Sequence, residues 1–158
     1  MPQRIYLVDA FSHGPFTGNP AGVCPLGGPR SAPWMQSVAM EMNQAETAFF
    51  WPTGGVSYAL RWFTPACEVD LCGHATLACA HVLFSEGEAS PISFQTEVSG
   101  ELVCTKIEDG IAMDFPADPP TAVDPFDVSA ALGVQPLWMG AGRFDWPRHG
   151  WQAAGRPR

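Results

Sequence analysis

The sequence predicts an α+β fold in which a mixed, mainly antiparallel β-sheet surrounds one central helix. Residues 75–84 place apolar side chains on every side of a helical register, which is typical of a helix enclosed by other elements. Several short runs of alternating or β-branched apolar residues, bounded by glycine and proline, predict strands. With 158 residues, of which 46% are hydrophobic, the chain is long enough to bury a core.

The first part of the chain predicts a hairpin-like unit followed by an amphipathic helix. Residues 5–11 and 21–26 are strand-like and are separated by a turn rich in glycine and proline. From Pro33 to Asn43 apolar residues recur at helical spacing, and Ser31 is a plausible N-cap. Two further strands are expected, at residues 47–51 and 57–64.

After the central helix, expected at Ala75–Phe84, the pattern returns to strands and then changes at a cluster of prolines. Strands are predicted at 91–96, 100–108 and 110–115, and Asp109-Gly110 is a strong signal for a tight hairpin between the last two. The prolines of residues 116–120 oppose ladder pairing and predict a boundary, which ends an N-terminal lobe at residues 1–116. Beyond it we expect the first elements of a second lobe at 117–146, with a short helix at 127–132 and a strand at 137–146, and an unstructured tail at 147–158.

Charge and cysteine content exclude several classes of protein. The net charge is −8 and Lys106 is the only lysine, so the electrostatic footprint of a nucleic-acid-binding protein is missing. No apolar run is long enough to span a bilayer, and the N-terminus does not resemble a signal peptide, so no membrane partner is expected. Five cysteines, an odd number, favour reduced thiols and a cytoplasmic location.

The segment Cys72-Gly73-His74 precedes the apolar helix and predicts a binding site for a carboxylate. The first N–H groups of a helix have no internal partner and lie at the positive end of its dipole. Gly73 allows a ligand to approach the backbone, and His74 titrates near neutral pH. A structural role for this histidine is the common alternative.

Glu46 and Cys72 are candidates for proton transfer. Glu46 is flanked by apolar residues at a helix-to-strand junction, and desolvation of its carboxyl would suit it to proton shuttling, although spacing alone favours a cap or a solvated charge. Cys72 at a helix start could act as a thiolate base, or it could be an inert buried thiol. We expect no metal site, because the spacing of Cys72, His74, Cys79 and His81 fits no structural zinc pattern.

Five segments of the chain form a recognisable set: VDAFSHGPFTGNPAGVCPL, MQSVAMEMNQAETAF, RWFTPACEVDLCGHATLACAHVL, SGELVC and MDFPA. Together they resemble the phenazine-biosynthesis isomerase (PhzF-like) family, which has the diaminopimelate-epimerase fold. They occur in matching order across roughly residues 4–146. The matching order and the number of these segments make the resemblance far more specific than any single motif would be.

The resemblance implies two similar lobes, each a sheet around a central helix, with the active site between them. It implies a biosynthetic isomerase that works without a cofactor, as when the phenazine enzyme moves a proton around a dihydro-hydroxyanthranilate ring. The family's acid/base glutamate corresponds to Glu46 in NQAETAF, and the Gly-His pair that meets the substrate corresponds to Gly73 and His74. The expected partner is therefore a small carboxylated molecule.

The chain also departs from the family pattern. Members are about twice as long, and their second lobe supplies an aspartate and a second helix start that this chain lacks. After Trp146 the residues PRHGWQAAGRPR match nothing in the pattern, which indicates a second lobe truncated by a frameshift or an early end. A strand edge left bare by such truncation favours homo-oligomers or other self-association.

Two other functions stay open at this point. One is an epimerase or racemase that uses Cys72 as a base, although the histidine after Cys-Gly, where such relatives carry asparagine, opposes it. The other is a non-catalytic half-protein that persists as an interaction module. Whether the chain itself is active is left open by the sequence.

Overall fold

The largest element of the computed structural model is an eight-stranded mixed sheet. The structure describes residues 3–122, 138–143 and 148–150. The strands of this sheet are β1 (Tyr6–Ala10), β2 (Asn19–Pro25), β3 (Glu46–Gly54), β4 (Ser57–Phe63), β5 (Glu68–Val69), β6 (Ile92–Gln95), β7 (Glu101–Ile107) and β8 (Gly110–Asp114). Their order is β1-β2-β3-β4-β6-β7-β8, with β5 beside β4. The pairs β2–β3 and β4–β6 are parallel and the others antiparallel, which confirms the predicted α+β class.

The sheet curls around helix α2 (Gly73–Ser85). This helix contacts β1, β2 and β3 at one end of the strand order and β7 and β8 at the other. Its core-facing side is made of small and aliphatic residues that are almost fully buried, including Ala75, Ala78, Cys79, Ala80 and Val82. The predicted central helix is thus confirmed. It begins two residues earlier than expected, because the carbonyl of Cys72 already accepts the N–H of Thr76 at 3.2 Å.

Helix α1 (Ala32–Met42) packs on the opposite face of the sheet. Its buried residues Met35 and Ala39 join Phe49 and Phe63 in a second apolar cluster, whereas Ala48 and Phe50 of β3 belong to the cluster around α2. Alternation along β3 separates the two clusters, because successive side chains of a strand point to opposite faces. Ser31 lies at the N-cap as predicted, with its carbonyl accepting the N–H groups of Trp34 and Met35.

Strand β5 has no signal in the sequence pattern, because two residues are too few to show a period. It is fixed instead by a tertiary contact: the guanidinium of Arg61 on β4 donates two hydrogen bonds of 2.6 Å to the carboxylate of Glu68. Paired donors matched to both carboxylate oxygens give this contact a defined geometry.

Contacts divide the chain into two units, Met1–Pro116 and Ala117–Arg158. Within the second unit, β9 (Thr121–Ala122), β10 (Trp138–Ala141) and β11 (Arg148–Gly150) form an antiparallel sheet in the order β11-β10-β9. The prediction of an unstructured tail from residue 147 is wrong at Arg148–Gly150, because backbone pairing with β10 orders residues that have no apolar period. The helix predicted at 127–132 lies outside the described residues.

Candidate active site

Glu46 is the first residue of β3 and is placed by its neighbours on both sides. Asn43 adopts the left-handed conformation (φ 50°) after α1, which ends the helix and turns the chain toward the sheet. Glu46 then pairs in register with Ala21 on the parallel strand β2. Its side chain is 22% exposed, so the carboxylate is partly removed from water, as the apolar flanking residues suggested.

His74 lies between Glu46 and Cys72. Its Nε2 is 3.4 Å from Oε2 of Glu46, and its Nδ1 is 3.4 Å from Sγ of Cys72. The imidazole is only 10% exposed. The contact with Glu46 has the distance of an ion pair but not the angles of a hydrogen bond, and Nε2 is a buried atom without a hydrogen-bond partner among the described residues. The histidine therefore has an unused polar atom 3.4 Å from the carboxylate.

Cys72 is the N-cap residue of α2, and its thiol is buried. Burial raises the pKa of this thiol to about 12, and the nearby carboxylate of Glu46 adds to the rise. The N–H groups of Ala75 and His74 act in the opposite direction but do not outweigh burial. In this structure the effect of desolvation on the pKa of Cys72 thus exceeds the stabilisation that a helix start can give to a thiolate.

The start of α2 is open at Gly73. A Cβ built on Gly73 would meet nothing within 4 Å, so a ligand has space to reach the backbone. The side chain of Cys72 makes no capping hydrogen bond of normal geometry with the first N–H groups. A carboxylate docked there would accept hydrogen bonds from the first N–H groups and lie at the positive end of the helix dipole.

Two further residues support the site and were not singled out by the sequence. The hydroxyl of Thr76 donates a 2.6 Å hydrogen bond to the carbonyl of Cys72, which fixes the turn before Gly73. Gly22 on β2 is paired in register with Thr47, the residue after Glu46, and a Cβ at Gly22 would lie 2.6 Å from Oγ1 of Thr47. Thr76 could have been found from the sequence, because a threonine four residues after Cys72 is a local signal. The approach of Gly22 to Thr47 depends on the register between β2 and β3.

Cys79 and His81 do not join this group. Cys79 is fully buried in the core around α2, and burial raises the pKa of its thiol well above the usual range. His81 is exposed on α2 and lines a separate cleft of about 620 Å³ that is bounded by β1, α2, β7 and β8. The residues lining that cleft do not include Glu46, Cys72 or His74.

The comparison with known families agrees with the order of the motifs. Residues 8–137 match the family described as phenazine biosynthesis-like protein (PhzC-PhzF). The chain belongs to this family. A protein of Halalkalibacterium halodurans described as an uncharacterized isomerase is 50% identical over 151 residues, which cover 92% of this chain and 56% of that protein. The human phenazine biosynthesis-like domain-containing protein is 46% identical over 128 residues, or 75% of this chain and 44% of that one.

Solved structures of PhzF proteins have the same fold. A crystal structure of a PhzF family protein from Enterococcus faecalis superposes with a TM-score of 0.79 at 42% identity, covering 90% of this chain and 55% of that chain. A structure from Pseudomonas aeruginosa described as a predicted epimerase has a TM-score of 0.61 at 22% identity, which is a likeness of fold. The chain spans about half the length of the relatives it matches. No helix in the described part of the chain is long and apolar enough to cross a membrane.

Proposed function

We propose that this chain carries the acid/base half of a PhzF-type isomerase site, which moves a proton within a small carboxylated substrate. Glu46 is the acid/base group, and the α2 start at Gly73 and His74 holds the substrate carboxylate. The observation that supports this most is the 3.4 Å contact of Glu46 Oε2 with His74 Nε2 beside the open helix start. The relative from Halalkalibacterium halodurans, described as an isomerase, supports the same reaction class.

The chemistry requires a carboxyl group that can both accept and return a proton. The partial burial of Glu46 keeps its carboxylate out of bulk water, and the imidazole of His74 lies beside the negative charge that Glu46 carries before it accepts the proton and after it returns it. Neither step needs a cofactor, because a carbon-bound proton next to an unsaturated system is acidic enough for a positioned base. Removal of such a base costs about 10²- to 10⁴-fold in rate.

The test follows solvent deuterium into a dihydro-hydroxyanthranilate by NMR, with the wild-type chain and the variant Glu46→Gln. We expect exchange and double-bond migration with wild type and a loss of about 10²-fold or more with the variant. Arg61→Gln is a matched control, because it removes a charge that pairs with Glu68 and not with the site. Equal rates for wild type and Glu46→Gln would refute the role of Glu46.

Carboxylate binding is measured separately, with benzoate as a stable probe and the ring signals of His74 as the readout. The proposal predicts saturable shifts of the His74 signals that are absent from those of the exposed His81. Binding without proton exchange would indicate that the chain is a binding module and that turnover needs residues beyond it. Equal shifts at both histidines would refute a site at the α2 start.

The rival mechanism uses Cys72 as the base of an epimerase. A thiol with a pKa of about 12 is almost entirely protonated at neutral pH, which disfavours this role in the state described by the structure. Cys72→Ser separates the two hypotheses. We expect proton exchange to persist in this variant, whereas a Cys72-based epimerase would lose it.

A further inference from the structure

Glu46, Cys72 and His74 together have the composition of a metal-binding site. One donor atom from each residue lies within 4.8 Å of the donor atoms of the other two, and within residues 3–122, 138–143 and 148–150 this is the one group of three or more such side chains found. The set combines a carboxylate oxygen, an imidazole nitrogen and a thiol sulfur. This set differs from Cys72, His74, Cys79 and His81, whose spacing fits no structural zinc pattern, because Glu46 comes from β3 and replaces Cys79 and His81.

The burial of these donors favours a bound ion over solvent. Cys72 is 7% exposed, and the imidazole of His74 is 10% exposed, with no hydrogen-bond partner for Nε2 in the part of the chain that the structure describes. A buried polar atom without a partner is unfavourable, and a cation coordinated at that nitrogen would relieve this cost. The negative charge of Glu46 at 3.4 Å would be neutralised by the same ion.

The distances suit a small tetrahedral ion. Zinc bonds of about 2.0–2.1 Å to nitrogen or oxygen and about 2.3 Å to sulfur place neighbouring donors roughly 3.3–3.6 Å apart. The Glu46–His74 distance of 3.4 Å already has this value, and the third donor, within 4.8 Å of the other two, needs a shift of at most about 1.5 Å to reach it. The open space above Gly73 leaves room for a water molecule as the fourth ligand.

We propose that Glu46, Cys72 and His74 bind a thiophilic divalent cation of the Zn²⁺ class, which occupies the site reversibly and blocks proton transfer. Sulfur and imidazole donors select Zn²⁺ over Mg²⁺ or Ca²⁺. On binding, the S–H bond of Cys72 breaks, its proton leaves to solvent and the thiolate coordinates the ion. Binding stands independently of the isomerase reaction, whereas the inhibitory consequence rests on the proposed function.

Co²⁺ is the probe for binding, because a thiolate-to-cobalt charge-transfer band reports sulfur coordination directly. The reduced full-length chain is titrated with Co²⁺, and we expect a saturable band at one equivalent that added Zn²⁺ removes. Cys72→Ser should abolish the band while retaining a good N-cap for α2. Cys67→Ser is the matched control, because Cys67 is the exposed cysteine, and the band should be unchanged.

Glu46→Gln and His74→Gln provide a second readout through affinity. Loss of one ligand should weaken Co²⁺ binding by about tenfold or more, since even outer-shell changes cost about 10- to 100-fold. A band that persists in Cys72→Ser, a band lost in Cys67→Ser, or no saturable band would each overturn the proposal. If Cys72→Ser does not fold, wild-type affinity in Glu46→Gln overturns it equally.

The proposed inhibition of proton transfer by the bound cation is tested separately. With wild type, Zn²⁺ at saturation should abolish proton exchange, and a chelator should restore it. A cobalt band in a chain that shows no isomerase activity supports the cation site and counts against the proposed function. Activity without any cobalt band leaves the proposed function standing and refutes the cation site.

Discussion

Substitution of Gly22 by alanine tests whether the close approach of β2 to β3 positions Glu46. The new Cβ would lie 2.6 Å from Oγ1, 3.0 Å from Cγ2 and 3.2 Å from Cβ of Thr47. Thr47 is fully buried and β-branched, so it has few rotamers into which it can move. The strand itself must therefore shift, and Glu46 is the adjacent residue on that strand.

The size of the perturbation follows from these distances. Ordinary contacts of a Cβ begin at about 3.4 Å, so the alanine overlaps Thr47 by roughly 0.8 Å at the closest atom. Overpacking of this kind costs about 1–3 kcal/mol of the free energy of unfolding. A displacement of several tenths of an ångström at β3 would also change the 3.4 Å contact between Glu46 and His74.

The assay is urea denaturation followed by tryptophan fluorescence, combined with the proton-exchange assay. Gly22→Ala should lose about 1–3 kcal/mol of stability, and Thr47→Ala in the same chain should recover part of it, because the two closest atoms are then gone. Gly27→Ala is the matched control, since a Cβ at Gly27 meets nothing within 4 Å. A Gly22→Ala variant as stable as Gly27→Ala, or no coupling with Thr47→Ala, would refute the reasoning.

Three more predictions concern the site and the free sheet edge. Iodoacetamide at pH 8 should label the exposed Cys67 well before Cys72, as peptide mapping can show; early labelling of Cys72 would contradict a pKa of about 12. The pKa of Cys72 in the folded state, about 12, lies above its ordinary value of 9.0. Its contribution to the free energy of unfolding is therefore fully present below pH 9 and declines between pH 9 and pH 12. Over this range the urea midpoint of Cys72→Ser should fall less steeply with pH than that of the wild-type chain. The chain should self-associate at micromolar concentration in sedimentation, because β1 pairs within the described residues only with β2 and its Leu7 is 62% exposed. Leu7→Lys should favour the monomer. A monodisperse wild-type monomer would count against this prediction.

The elements that sequence predicted correctly are those whose signals are local. The apolar period of α1, the all-round apolar pattern of α2 and the hairpin signal at Asp109-Gly110 each fall within a few residues. Both helices and the hairpin are present in the structure, although the turn lies one residue earlier, at Glu108-Asp109, and Gly110 begins β8. Strands β5 and β11 were missed because they are two and three residues long and are fixed by partners elsewhere in the chain. Such short strands are stabilised by hydrogen bonds to partner strands, and these partners lie outside any short segment of sequence that contains the strand.

At the site, residue types were predictable but their electrostatics were not. A cysteine at a helix start is compatible with a lowered thiol pKa through the dipole or a raised one through burial. The choice depends on how much of the core covers Cys72, and that coverage comes from strands distant in sequence. The same holds for Gly22, whose need to be glycine appears only when β2 and β3 are placed in register.

The sequence by itself determined the fold class, the central helix, the family resemblance and the identity of Glu46, Gly73 and His74 as candidate residues, since these depend on local periodicity and motif order. The tertiary structure decided that Glu46 reaches His74 at 3.4 Å, that Cys72 is buried beside them and that α2 is open at Gly73. The physical reason is that distances and desolvation arise from packing between β3 and α2, which are separated along the chain by β4 and β5.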